Sequence, residues 1–188
     1  MSSPPRVLVR GEELREGRSL TLPEDEARHL RVSRVAPGSP VVLLDGDGGR
    51  AEALLAVSGR EVLVGRRLPP RGEPARRVTV LLGVGELARV EWAVEKGTEC
   101  GAARFVLLAA ARSQRAHVAA AAARVERLRR IAAEAAKQCD RSAVPRVETP
   151  ASLGEALAAC RGTLLVARPG APPLEQLSPA GDEARVAV

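Results

Sequence analysis

Aromatic side chains are almost missing from this chain of 188 residues: one Trp, one Phe and no Tyr. Modules that stack unpaired bases need several aromatic faces, so RRM-like and cold-shock-like readings are disfavoured. Cysteine is scarce too. Cys100, Cys139 and Cys160 are widely spaced, form no CxxC and have no nearby histidine pair, so neither a disulfide framework nor a zinc site follows. No apolar run approaches the roughly 18 residues of a membrane span, and residues 1 to 20 carry charges throughout without a signal-peptide core. The chain reads as soluble and cytoplasmic. Lysine is rare as well: Lys96 and Lys137 stand alone among 29 basic residues.

What is abundant is arginine, which carries most of a formal charge of +6 and a pI near 10.4. Its planar fork can bond two phosphate oxygens at once, so a polyanion, RNA or DNA before a membrane, is the partner class the charge favours. A compositional bias toward Arg and Ala explains the same count. At 45% hydrophobic residues the chain can bury a core, and its length suits two small domains.

Short strand patterns fill residues 6 to 67: RVLV, SLTL, PVVLLD, AEALLAV and REVLVGR, separated by turns such as GDGG. They predict a small β-barrel. One helix interrupts it after Pro23, acidic in its first turn and basic later, as the helix dipole favours. Arg28, Arg31 and Arg34 form its cationic edge, and Pro37-Gly38 ends it. LPPRGEPARR (68 to 77), with three prolines, is the best domain boundary.

Beyond it strand and helix patterns alternate. VTVLLGV leads to a helix over about 86 to 98, RFVLLAA to one long helix over about 116 to 137, then AVPRVE, a helix SLGEALAAC, TLLVA and ARVAV. Alternation of this kind predicts a mainly parallel sheet covered by helices.

No phosphate-binding glycine loop is present, since GVGEL lacks the third glycine and GDGG is explained as a hairpin turn. No Ser or Cys nucleophile arrangement can be spelled out, and His29 and His117 read as surface or packing residues. What remains are polar residues at element ends: Lys96 and Glu99, Arg112 and Ser113, Gln138 and Arg141. Lys96 and Glu99, three apart on a helix, equally fit an ordinary ion pair. Capping and dipole duty is the simpler account of any one of these residues, and their convergence from several elements argues against it. The arginines at 124, 127, 129 and 130 fit a solvated helix face as well as an RNA surface.

EAAKQCDRSAVPRV (134 to 147) resembles the EAxxQSxRxxxPxV signature of the RsmE-type 16S ribosomal RNA uridine N3-methyltransferases of the SPOUT class, with Gln138, Arg141 and Pro145 in matching places. HLRVSR (29 to 34), LLDGDGGR (43 to 50), EWAVEKGTECGAARFVLL (91 to 108) and the pair Arg112-Ser113 resemble further segments in the same order. Cys139 replaces a serine and Glu86 a lysine of that pattern. The resemblance implies an α+β protein of two domains: a PUA-like β-barrel over 1 to 72 that holds RNA, and a SPOUT domain with a trefoil knot over 73 to 188 that binds S-adenosylmethionine and forms a homodimer. It implies methylation of uridine N3 in 16S ribosomal RNA, with that RNA or the small ribosomal subunit as partner.

By the same resemblance Arg112, Arg141, Gln138 and Glu99 are the catalytic candidates. The two arginines would stabilise a deprotonated uracil or hold a phosphate, Gln138 would bond the base edge, and Glu99, if partly buried, would act as base. Arg31, Arg34 and Lys96 would bind RNA phosphates. Ala167, Arg168 and Pro169, in the loop after TLLVA, would border the cofactor, although turn chemistry explains Pro-Gly equally well. The family's GPEGG loop and LGxRILRxETA segment do not occur in these residues. The expectation is therefore a member cut short before its cofactor site, whose activity in this form stays open, and the alternative is a noncatalytic RNA-binding protein lacking the methyl-donor site. A DNA-binding regulator would need a helix-turn-helix pair, which the single helix of the first domain does not supply.

Overall fold

A computed structural model of the chain describes residues 4–160, 162–168, 170–173, 176 and 183–187, the last group through its backbone. The chain divides into two compact units. The first is Met1–Glu73 together with Ala136–Val144, and the second is Pro74–Ala135 together with Pro145–Val188.

In the first unit, β1 (Arg6–Leu8), β2 (Ser19–Thr21), β3 (Pro40–Leu44), β4 (Arg50–Leu55) and β5 (Glu61–Leu68) form one curled half-barrel sheet in the order β1-β3-β4-β5-β2. All its pairings are antiparallel except β1 with β3. Alternation decides which side faces inward: in β5 Val62 and Val64 are buried whereas Leu63 between them is exposed. α1 (Glu24–Val32) lays Ala27 and Leu30 on the same core as Val7, Leu43 and Ala53. Its first turn is acidic and its last basic, in keeping with the helix dipole.

The β3–β4 turn is built on Asp45, whose Oδ1 accepts hydrogen bonds from the backbone N–H groups of Asp47 and Gly49, both at 2.8 Å. This local competition for backbone donors is what Asp offers at turns. The GDGG run is therefore a hairpin device, as its composition suggested.

The second unit is a five-stranded sheet in the order β8-β7-β6-β10-β9. Its strands are β6 (Arg77–Gly83), β7 (Arg104–Leu108), β8 (Arg146–Val147), β9 (Thr163–Val166) and β10 (Glu183–Ala187), and every pairing is parallel. β10 sits between β6 and β9, paired along both edges. Helices α2 (Leu87–Glu99), α3 (Arg115–Ala123), α4 (Val125–Gln138) and α5 (Leu153–Ala159) connect the strands. α4 runs from this unit into the first, which takes its last three residues. α5 opens with a reciprocal Ser152–Glu155 capping box.

Gly97 in the middle of α2 has a steric reason. A Cβ there would stand 2.7 Å from the Phe105 ring carbons, so the glycine permits close approach of α2 to β7, and that contact outweighs its helix penalty of about 1 kcal/mol. Phe105 is completely buried.

Two expectations are corrected. The long helix predicted over about 116 to 137 is two helices, broken at Arg124, whose backbone (φ −117°, ψ 16°) leaves the helical range. No Gly or Pro marks the break, and the run of alanines before it carries no apolar stripe to fix a phase; Ala122 is exposed. α4 takes its own orientation: Leu128, Ala132 and Ala135 are buried, while Arg129 Nε donates to the Val147 carbonyl at 3.0 Å. The AVPRVE strand shrinks to Arg146–Val147 because Pro145 has no N–H to give. Ala143, just before it, pairs instead with Gly46 and Asp47 in the first unit.

Candidate functional site

All strands of the second unit being parallel, their carboxyl ends share one edge. From β6 the chain proceeds first to β7 and β8 on one side, then to β9 and β10 on the other. The order therefore switches between β6 and β10, and in open parallel sheets the crevice at the carboxyl ends beside such a switch is where ligands bind.

Four described loops border that edge: Val84–Glu86 after β6, Ala109–Gln114 after β7, Glu148–Ser152 after β8, and Ala167–Arg168 after β9. Gly85, Ala109, Ala110, Ala111 and Ala167 carry little side chain, which leaves the backbone approachable there, and a Cβ on Gly85 would meet open space. Ser113 ties two of the loops together. Its hydroxyl donates to the Val84 carbonyl at 2.7 Å, and the Val84 N–H donates to the Leu108 carbonyl at 2.9 Å. Arg112 beside it is exposed, as are Ala167 and Arg168; Pro169 lies outside the described residues.

Lys96 and Glu99 stand elsewhere. They lie in the last turn of α2, which leads into the amino end of β7, so the strand of five residues separates them from Arg112 by roughly 16 Å of rise. Lys96 Nζ bonds Glu95 Oε1 at 2.9 Å and Glu99 Oε1 at 2.8 Å. The bond to Glu95, and then that to Glu99, holds the lysine protonated well above its ordinary range. Glu99 is exposed, so the condition attached to its role as base, partial burial, is not met. The ion pair that the spacing equally fitted is the arrangement observed.

Gln138 and Arg141 belong to the first unit, where the end of α4 is held by charges. Asp140 takes a left-handed conformation (φ 61°). The N–H of Arg141 reaches the Ala136 carbonyl at 2.9 Å and that of Asp140 the Lys137 carbonyl at 3.4 Å, a Schellman-type helix end with Asp in the place usually held by Gly. Asp140 Oδ1 accepts from Arg6 Nε at 2.6 Å and Arg50 Nη2 at 3.1 Å, and its Oδ2 faces Arg71 Nη1 at 2.9 Å. Burial opposes ionisation of this carboxyl, but the hydrogen bond from Arg6 and the charges of Arg50, Arg6 and Arg71 outweigh it and hold the group below the usual carboxylate range.

Arg141 is buried, at 2% exposure. Its Nη2 bonds Glu73 Oε2 at 2.7 Å, and Glu73 Oε1 also accepts the Ala143 N–H at 2.9 Å. This guanidinium, read from the sequence as facing a substrate, holds the segment after α4 to Glu73. Gly72 explains the close fit, since a Cβ there would lie 2.9 Å from Arg141 Cγ and its φ is +74°. Lys137 and Glu26 form a further buried pair at 2.7 Å. Gln138 is exposed, and so are Arg31 and Arg34. Arg31 comes only within 4.0 Å of Glu24, and Arg34 has a left-handed φ of 55° just past the end of α1.

Sequence reading passed over Lys137 and Asp140 as site members. A usable signal existed for the first, since Lys137 falls on the face of α4 that otherwise buries Leu128, Ala132 and Ala133, and a lysine there requires a buried partner. Asp140 offered a weaker one, as Asp tolerates the left-handed position after a helix. Among the described residues no cluster of His, Cys, Asp and Glu could hold a metal, and no described helix is long and apolar enough to cross a membrane.

The arrangement defines a class: an α+β protein pairing a curled sheet unit with a parallel-sheet unit whose strand order reverses at a switch point. Residues 72–188 match the model of the RNA methyltransferase domain, and the chain belongs to that family. It is 32% identical over 141 residues to ribosomal RNA small subunit methyltransferase E of Bacillus subtilis, covering 72% of this chain and 55% of that protein. To the enzyme of the same name from Mycobacterium bovis it is 34% identical over 128 residues, or 66% of this chain and 49% of that one. The chain thus spans about half the length of these curated relatives. A solved structure of the Neisseria gonorrhoeae ribosomal RNA small subunit methyltransferase E bound to S-adenosyl methionine superposes with a TM-score of 0.87 at 25% identity, over 98% of this chain and 78% of that one.

Proposed function

We propose that the protein methylates N3 of a uridine in 16S ribosomal RNA with S-adenosylmethionine as donor. The observation that carries this reading is the family match over residues 72–188, which covers the parallel sheet and its switch point. The relatives named small subunit methyltransferases, one of them bound to S-adenosyl methionine, support the substrate and the donor. On this reading the first unit is a PUA-like RNA-holding domain, the second a SPOUT domain with its trefoil knot, and the working protein a cytoplasmic homodimer.

The small residues on the carboxyl edge fit a nucleoside-bearing donor, with Ala167 and Arg168 on its border and the Val84–Glu86 loop across from them. When bound, S-adenosylmethionine supplies an electrophilic methyl group on its sulfonium. The chain's task is to prepare the acceptor. A uridine imide is a poor nucleophile until N3 gives up its proton to solvent, and the negative charge then spreads to the neighbouring carbonyl oxygens; attack of N3 on the methyl carbon breaks the carbon–sulfur bond and leaves S-adenosylhomocysteine. Arg112, exposed on the loop that Ser113 anchors, is the cation placed to stabilise that charge. Gln138 is the exposed polar residue of the signature and contacts the RNA; Arg31, Arg34 and Lys96 supply phosphate contacts. Arg141 acts indirectly, by fixing the segment that carries Gln138.

The test is to incubate the protein with labelled S-adenosylmethionine and unmethylated small ribosomal subunits, digest the RNA and identify the nucleoside. N3-methyluridine, lost in Arg112→Ala, is the expected product. Tight RNA binding with no binding of S-adenosylmethionine in calorimetry would replace the enzyme reading with that of a noncatalytic RNA-binding protein.

A further inference from the structure

The turn after β7 is held more firmly than an exposed loop requires. The Ser113 N–H donates to the Ala110 carbonyl at 2.9 Å and closes a turn over 110–113 in which Arg112 is third. The Ser113 hydroxyl reaches the Val84 carbonyl of the β6 loop at 2.7 Å. On the other side the Ala109 N–H donates to the Ala151 carbonyl of the β8 loop at 2.9 Å. The turn is therefore pinned to a neighbouring loop on each side, and α3 starts just beyond it, at Arg115.

Arg112 and Arg115 are both exposed, and among the described residues neither takes part in an ion pair or a side-chain hydrogen bond. Exposure alone singles out neither, because Arg77 at the amino end of β6 is in the same condition. What sets Arg115 apart is its place in the chain. It stands in the first turn of α3, which holds no acidic residue and where the helix dipole presents its positive end. A cation there works against the helix it opens. Local rules are broken in this way where function requires it, and here the break falls directly beside a pinned turn on the carboxyl edge of the sheet.

We propose that Arg115 binds a backbone phosphodiester of the substrate RNA, so that the pinned turn presents one clamp, with Arg112 on the base and Arg115 on the backbone. Three residues of chain span at most about 11 Å, which lets both guanidiniums reach the same short stretch of RNA. A phosphodiester carries the oxygen pair that an arginine fork bonds best, and its negative charge offsets the cation at the helix start. Arg31 and Arg34 belong to the other unit, and Lys96 bonds two glutamates at the far end of α2. Arg115 instead supplies a backbone contact on the edge where the acceptor base is prepared. The inference rests on the reading of the protein as an RNA methyltransferase and adds how the RNA is held beside Arg112.

Salt dependence of RNA binding provides the test. Each phosphate contact contributes about 0.7 to the slope of log K against log salt for single-stranded RNA. The full chain is titrated with a fluorescein-labelled single-stranded RNA oligonucleotide between about 50 and 200 mM salt. Arg115→Gln is expected to lower the slope by about 0.7 and to weaken binding severalfold at the low-salt end. Its thermal midpoint should stay the same or rise slightly, since the cation opposed to the dipole is gone. Arg115→Lys, which keeps the charge, is expected to retain the slope. Arg77→Gln removes an exposed charge at the opposite end of the sheet and is expected to leave the slope unchanged. The contact is overturned if Arg115→Gln keeps the slope of the unaltered chain, if Arg77→Gln reproduces its effect, or if Arg115→Lys loses the slope as well. A midpoint clearly lowered in Arg115→Gln would assign the residue to the fold and overturn it too. An unaltered chain that binds no RNA would remove this contact and the RNA reading together, whereas normal binding with an unchanged slope in Arg115→Gln removes this contact alone.

Discussion

The two units use charge in opposite ways. In the first, Lys137, Asp140 and Arg141 bring their charges to buried or half-buried partners and hold the segment Ala136–Val144 in place. In the second, Phe105, Leu81, Val106 and Leu128 make the interior, and the ion pairs Arg127–Glu91 and Lys96–Glu99 lie on its surface. Apolar burial is non-directional and tolerates small shifts, whereas a buried ion pair is satisfied in one geometry only. Charge in the first unit therefore specifies position, whereas these two pairs of the second lie on a core that alternation and burial already define.

Breaking one partner of a buried pair should show the contrast most strongly. Lys137→Ala removes the buried ammonium 2.7 Å from Glu26 and is expected to cost about 3–5 kcal/mol, read as a large drop in the denaturation midpoint. The double variant Lys137→Met, Glu26→Gln should recover part of it. A midpoint unchanged in Lys137→Ala would show that the pair specifies nothing.

Acid provides a second and smaller lever. Because the folded Asp140 carboxyl lies below its unfolded value, it contributes stability that is fully present above the unfolded pKa of about 3.9 and is lost as pH falls through the lower folded value. The contribution should be on the order of a charged hydrogen bond, about 1.5–3 kcal/mol. Asp140→Asn, which keeps the left-handed backbone, is expected to be less stable at pH 7 and to show a flatter loss of stability below pH ~4. An acid limb as steep as that of the unaltered chain would show that other carboxylates carry it.

Gly72→Ala comes next. The positive φ and the approach to Arg141 Cγ together predict a loss of about 1–2 kcal/mol, with the Arg141–Glu73 pair loosened. Least of all should be Arg127→Ala in the second unit, which removes an exposed ion pair and should leave the thermal midpoint within measurement error. A marked drop there would erase the distinction between the two units.

Much of the second unit was legible because its signals are local. VTVLLGV and RFVLLAA read as strands, and Val90 and Val94 share one face of α2, since a period of two or 3.6 is visible in any short window. The break at Arg124 was not legible, because five alanines satisfy a helix of any phase. In the signature, Gln138 and Arg141 could be picked out as special, but their duties could not. The partners of the residues around them lie far away in the chain: Arg6 is 134 residues from Asp140, Glu26 is 111 from Lys137 and Glu73 is 68 from Arg141. No window of sequence contains both members of such a pair.

By itself, then, the sequence determined most strands and helices, though not the break at Arg124, together with the placing of glycine and proline at turns, the excess of arginine and the resemblance that carries the family. Each of these rests on neighbours in the chain or on composition. Tertiary structure alone decided that β10 lies between β6 and β9, that Ser113 ties the β7 loop to Val84, and that Arg141 serves Glu73 while Arg71 is left facing solvent. Those outcomes depend on which distant charges and edges meet, and only a folded chain brings them together.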